Sequence, residues 1–223
     1  MNDIINYYNE LAESYDDNRF SNSYGKYIDK QERKILSIIL KDENEIILDL
    51  ACGTGRLSNF ANIGIDASDK MIDVAKLKYP LKKFLVGEAN KIDLEDNSID
   101  TIICFHLFMH LDKNMMDEIL NECFRVLKNN GRLIFDIPSK KRRKLIGYKS
   151  NSWHGAYSLT IKDVKSWDNY KVKMVYGYLF FPIHRLPPQL RGIFSYFDYV
   201  LAQSIFKEYS SYLILECTKS DNG

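Results

Sequence analysis

Three acids, two closely spaced glycines and two histidines supply the chemistry this 223-residue chain can do. Asp49 ends the apolar run Ile46-Ile47-Leu48, and Gly53 and Gly55 follow it. A buried strand closed by a carboxylate, then glycines that let the backbone turn and approach a ligand, suits a cationic nucleoside. Asp66 ends a second short run, Ile63-Gly64-Ile65, where one carboxylate can accept both hydroxyls of a ribose. Glu88 follows a third run, Phe84-Leu85-Val86, and His106 and His110 follow a fourth. The dinucleotide-binding pattern is the rival reading. Here Gly53 and Gly55 supply G-x-G, but Ser58 stands where the third glycine belongs and Asp49 would oppose a pyrophosphate, so NAD is given no role.

Those residues must be held by alternating strands and helices. Strands are expected near Ile46, Ile63, Phe84, Ile102 and Ile134, with leading helices over residues 3–16 and 24–40. Only one or two helical turns fit between Gly55 and Asp66. Such alternation predicts an α/β fold with a mostly parallel sheet, whose ligands gather at the carboxyl ends of the strands. Strand six is expected over residues 171–181 and strand seven over 211–218. Between them, a helix carries Leu190, Ile193, Phe194, Phe197, Leu201 and Ile205 along one face. That face could cover a pocket, meet a second subunit or rest on a membrane, the last being weakest because only Arg185, Arg191 and Lys207 accompany it.

The run Asp49-Leu50-Ala51-Cys52-Gly53-Thr54-Gly55, followed by Asp66, Glu88 and the strand-five segment Leu127 to Asp136, resembles the class I S-adenosylmethionine (SAM) dependent methyltransferases. Their first motif is D/E-x-G-x-G-x-G. Asp49, Gly53 and Gly55 match it, and Ala51 replaces the first glycine, which argues against a left-handed backbone there. The resemblance implies a Rossmann-like seven-stranded, mostly parallel sheet with helices on both faces and an antiparallel final strand. It implies a single domain over residues 1–223, with lid helices at about 1–40 and a substrate-covering insert at about 182–208. It also implies SAM as cofactor, S-adenosylhomocysteine as product, and a cofactor site made of Tyr15, Asp49, Ala51, Cys52, Gly53, Gly55, Asp66, Ala67, Met71, Glu88, Ala89 and Phe105. His110 and His106 are the candidates for a catalytic base. Tyr8 is expected to pack on the core and Arg19 to sit in solvent. The acceptor is expected to be a small molecule, lipid-like or glycan-like, methylated at oxygen, carbon or an amine. A tRNA-modifying enzyme and an inactive SAM-binding regulatory subunit stay open as alternatives.

Composition narrows the classes further. Apolar residues make up 45% and charged residues 27%, ordinary globular values. The amino terminus lacks an apolar leader and no run approaches the ~18 residues of a membrane span, so a cytoplasmic protein is expected. Cys52, Cys104, Cys123 and Cys217 have neither paired nor metal-ligand spacing, so no metal site is expected and Cys104 reads as a small core residue. The net charge of +1 hides a basic loop over residues 138–150, with Lys140, Lys141, Arg142, Arg143, Lys144 and Lys149 and no acid. Such a loop could steer an anionic acceptor or, less readily, contact nucleic acid, and a solvated loop with no partner stays open beside both.

Overall fold

Apolar residues alternate along the central strands, and the two sets face opposite sides of one sheet. Leu48 and Leu50, Ile102 and Cys104, Leu133 and Phe135, and Leu213 and Leu215 enter one core. Their neighbours Ile47, Ile103, Ile134 and Ile214 enter the other. A sheet buried on both faces needs helices on both. The computed structural model, which describes residues 2–149 and 157–220, has this arrangement.

The strands are β1 (Ile47–Leu50), β2 (Ile63–Asp66), β3 (Lys83–Val86), β4 (Ile99–Cys104), β5 (Leu127–Pro138), β6 (Tyr170–Tyr178) and β7 (Tyr212–Lys219). They form a seven-stranded sheet in the order β3-β2-β1-β4-β5-β7-β6. Strands β1 to β5 pair in parallel, and β7 runs antiparallel to both β5 and β6. Strand order reverses between β1 and β4. The crevice above their carboxyl ends is therefore where this topology places a ligand.

Helix α1 (Asn2–Leu11) is followed by a 3-10 turn (Ala12–Ser14), α2 (Tyr15–Phe20) and α3 (Ser23–Ile39). The single helix expected over residues 3–16 is thus broken. Ser14 stands at the break, its hydroxyl bonded to the Leu11 carbonyl and receiving the Asn18 amide. After β1 only the 3-10 turn Ser58–Phe60 precedes β2, and Ser68 caps α4 (Asp69–Lys78) by accepting from Met71 N–H. Helix α5 (Lys113–Val126) buries Met116, Ile119, Leu120 and Cys123 against the sheet.

The basic loop expected over residues 138–150 is instead helical at α6 (Lys140–Leu145), with Ser139 accepting from Arg142 N–H as its cap. Ser150, at the end of that stretch, lies outside the described residues, as do Met1 and residues 221–223. Helix α7 (Ile161–Lys165) carries a capping box. Helix α8 (Pro188–Gln203) occupies the insert, but its expected apolar stripe does not face the core. Asp198 and Ala202 are its buried residues, while Leu190, Ile193, Phe194 and Phe197 are exposed. Asp198 fixes the helix by accepting from Tyr27 O–H and Phe181 N–H, both at 2.6 Å. Among the described residues no helix is long and apolar enough to cross a membrane.

Candidate functional site

Two adjoining cavities open at the carboxyl ends of β1, β2 and β4. The first lies between the turn after β1, the end of β2 and the loop after β4. Of the expected cofactor residues, Tyr15, Ala51, Gly53, Asp66, Ala67, Met71, Glu88, Ala89 and Phe105 all line it. Helix α1 lies over it, with Ile4, Ile5 and Tyr8 in the wall and Asn9 bonded to the Ser68 hydroxyl.

Asp66 organises this cavity. One carboxylate oxygen accepts from Gly53 N–H at 2.8 Å and the other from Ser68 N–H at 2.9 Å. Each oxygen keeps a further lone pair. Burial pushes the Asp66 carboxyl up, while the two backbone donors favour the ionised acceptor. Gly53 adopts φ +53°, and a Cβ there would meet nothing within 4 Å, so its backbone borders open space. Ala51 adopts φ +60° despite carrying a Cβ, contrary to the expectation from its side chain. Cys52 N–H donates to the Ile65 carbonyl, tying the strained turn to β2.

Asp49, Cys52 and Gly55 do not reach the cavity wall. Asp49 lies within the β1 ladder, paired with Gly64 and Ile103. Burial first, and Asp66 nearby, push its carboxyl up to about 7. The Cys52 thiol packs with Ile72, Ala75 and Phe84. Gly55 sits at φ +79° where a Cβ would crowd Ser58, Ala75 and Tyr79, so it permits close packing on α4. Cys104 is fully buried and its thiol is pushed well up by burial, as a core residue.

The second cavity is a cleft of about 1010 Å³. It shares Tyr8, Tyr15, His106 and His110 with the first. Both candidate bases and Tyr15 therefore stand where a ligand of one cavity meets a ligand of the other. Tyr8 and Arg19, expected on the core and in solvent, line the cleft as well. The turn before α8 contributes Pro182, His184 and Arg185, whereas α8 itself contributes nothing. The basic stretch divides: Arg142 and Arg143 line the cleft, Lys140 pairs with Asp163 at 3.6 Å, and Lys141 pairs with Glu208.

His106 is held in a buried ionic cluster that no sequence motif announced. Its Nε2 lies 2.8 Å from Glu32 and its Nδ1 3.4 Å from Asp136. Its own N–H, at φ +60°, donates to Asp136 at 2.5 Å. Arg56 pairs with Glu32 at 2.7 Å, and Tyr178 O–H donates to Glu32 at 3.0 Å. Burial disfavours the imidazolium, but Glu32 and then Asp136 outweigh it and raise the group. Burial likewise opposes ionisation of Glu32, yet His106 and Arg56 hold that carboxyl at about 2. Ligand atoms of Glu32, His106 and Asp136 fall within 4.8 Å of one another, a spacing that suits a cation. His106 and Arg56 favour the ionised Glu32, whereas burial and then Glu32 push the Asp136 carboxyl up. Signals for the cluster existed: Glu32 interrupts the apolar stripe Ile28-Ile35-Leu36 of α3, and Asp136 interrupts Ile134-Phe135-Ile137 of β5.

A doubly wound α/β domain of this order has its ligand crevice at the carboxyl ends of β1 and β4, where the buried Asp66 carboxylate and the left-handed Gly53 turn stand. Residues 48–135 match the family model of a methyltransferase domain. The chain is 32% identical over 137 residues to a demethylmenaquinone methyltransferase of Thermotoga maritima, covering 57% of this chain and 58% of that one. It is 27% identical over 165 residues to a malonyl-[acyl-carrier protein] O-methyltransferase of a Marinomonas strain, covering 68% and 58%. The chain thus spans under two-thirds of the length of these relatives. Among solved structures, the complex of the Haloferax volcanii Trm112 methyltransferase activator with a putative methyltransferase aligns at a TM-score of 0.69, with 15% identity over 95% of this chain and 97% of that one. Over residues 48–135 the chain is thus similar to methyltransferase domains, and its fold is that of the putative methyltransferase in that complex.

Proposed function

We propose that the chain is a SAM-dependent methyltransferase that acts on a small-molecule acceptor. The carrying observation is Asp66: two backbone donors orient its carboxylate, and the free lone pair on each oxygen suits the two hydroxyls of a ribose. Around it, Met71 offers an apolar wall for adenine, Glu88 an acceptor for its amine, and the Ala51–Gly53 turn an open backbone for the amino-acid end. When bound, SAM supplies an electrophilic methyl for in-line displacement by a nucleophile of the acceptor.

The chain's residues then act mainly by alignment. Tyr8 and Tyr15, with ring centroids 6.0 Å apart, form a wall common to both cavities. His110, at the junction, is the imidazole placed to take a proton from the acceptor when its nucleophile carries one. His106, with a carboxylate beside each nitrogen that raises its proton affinity, instead fixes the loop after β4. The pairing of Lys140 and Lys141 with acids leaves less open basic surface for a tRNA substrate. The intact Asp66 site supports an active enzyme over a regulatory subunit. Four free, buried cysteines accord with a cytoplasmic location. Calorimetric titration with S-adenosylhomocysteine tests the reading. Binding by the wild type, weakened in Asp66→Ala by about 1.5–3 kcal/mol, is expected; equal affinities in two folded proteins would refute it.

A further inference from the structure

The nine arginines of the chain fall into three groups. Arg33, Arg56, Arg125 and Arg132 pair with carboxylates. Arg191 donates to the carbonyls of Leu186 and His184. The remaining four, Arg19, Arg142, Arg143 and Arg185, all line the large cleft, and none has a carboxylate in salt-bridge contact among the described residues, although Arg143 donates to the Tyr157 carbonyl and lies over the Tyr148 ring. Among the described residues, the cleft wall contains no aspartate or glutamate.

Among the described residues, four buried polar atoms of the cleft lack a hydrogen-bond partner: both His106 nitrogens, which lie beside Glu32 and Asp136, and Arg142 Nε and His184 Nδ1, which have no such ionic neighbour. Buried donors in native proteins are ordinarily satisfied, and an orphan in a ligand cavity calls for an acceptor supplied from outside. Asp198 is near enough to Arg142 to feel its charge, but its oxygens accept from Tyr27 O–H and Phe181 N–H. Burial disfavours the Arg19 cation, which Tyr15, Tyr212, Tyr24 and Tyr8 around it favour, and no carboxylate of the described residues pairs with it. Burial lowers His184 and its arginine neighbours lower it further, so it serves as a neutral N–H donor.

We propose that the cleft holds an oxyanion of the methyl acceptor, a carboxylate or phosphate, between Arg142, His184 and Arg19, with Arg185 at the rim. The aromatic and apolar wall then receives an unsaturated or aromatic body. Arginine forks match both oxyanions bidentately, which makes the site selective for charge and shape together. The inference rests on the reading of this cleft as the acceptor side of a methyltransferase.

Calorimetric titration of the full chain with naphthyl phosphate, naphthoate and naphthol tests it. Both anions should bind at least about tenfold more tightly than naphthol, and the tighter of the two names the oxyanion. Arg142→Gln and Arg19→Gln should weaken that anion by about ten- to hundredfold, the scale of a charged hydrogen bond, and Arg142→Lys should restore part of the loss. Arg185→Gln, at an exposed position, should weaken it less and in a salt-dependent way. Equal affinity for naphthol and the anions, or indifference to Arg142→Gln and Arg185→Gln, overturns the proposal. A parallel titration with S-adenosylhomocysteine separates the two readings. Anion binding without it leaves the subsite and removes the methyltransferase, whereas nucleoside binding without anion preference removes the subsite alone.

Discussion

Asp49 is a buried carboxylate whose charge works against folding, and replacing it by Asn isolates that cost. Asp49 is 3% exposed, and burial together with Asp66 moves its carboxyl from an ordinary 3.8 to about 7. Each tenfold change in proton affinity is worth about 1.4 kcal/mol, so ionising Asp49 in the fold costs about 4 kcal/mol at pH 8. The native state binds this proton more tightly than the unfolded chain does between about pH 4 and 7, so stability falls as pH rises through that window. Asn keeps a polar amide that must still be desolvated, which takes back part of the gain. A net gain of about 1–3 kcal/mol at pH 8 is expected, a rise of about 3–9 °C in Tm for a chain of this size. Thermal melts of wild type and Asp49→Asn at pH 5 and pH 8 read it directly. The advantage should appear at pH 8 and shrink at pH 5, where the wild-type carboxyl is already protonated. A gain that ignores pH, or a loss at pH 8, refutes the argument.

Three more outcomes follow from the same geometry. Ala51→Gly should stabilise the chain by about 0.5–1 kcal/mol in denaturant melts, because φ +60° strains a Cβ more than glycine's extra freedom costs. Gly53→Ala should weaken S-adenosylhomocysteine more than it lowers Tm, since its Cβ meets no protein atom within 4 Å and projects where the ligand lies. His106→Asn should destabilise by about 3–5 kcal/mol, the scale for breaking a buried ion pair. His106 is raised in the fold, so its contribution is full below an ordinary histidine value of 6.5 and is lost as pH climbs through the folded value. Its ring carbons should titrate by NMR at a higher pH than an ordinary histidine, and a midpoint at or below the ordinary value would contradict the cluster.

The central strands were legible because Leu48, Ile102, Leu133 and their neighbours alternate between two cores, a pattern local to each segment. Asp66, Gly53 and Met71 were legible because one turn and one strand end bring them together. Helix α6 was not. Its residues Lys140 to Lys144 show charge without apolar period, and their partners Asp163 and Glu208 lie far along the chain. The Glu32–His106–Asp136 cluster and the Arg19–Arg142–His184 wall were hidden for the same reason, since each joins segments that meet only once the sheet is built. Ala51 erred in the other direction: the turn's ties to β2 impose a left-handed backbone that residue type alone argues against.

The central claim, that the cavity beside Asp66 holds the SAM nucleoside, is tested most directly by a crystal structure of the chain soaked with S-adenosylhomocysteine. The account predicts density with both ribose hydroxyls on the Asp66 carboxylate, adenine against Met71 and the amino-acid end over the Ala51–Gly53 turn. Ordered ligand anywhere else, with the Asp66 cavity empty at saturating concentration, would contradict it.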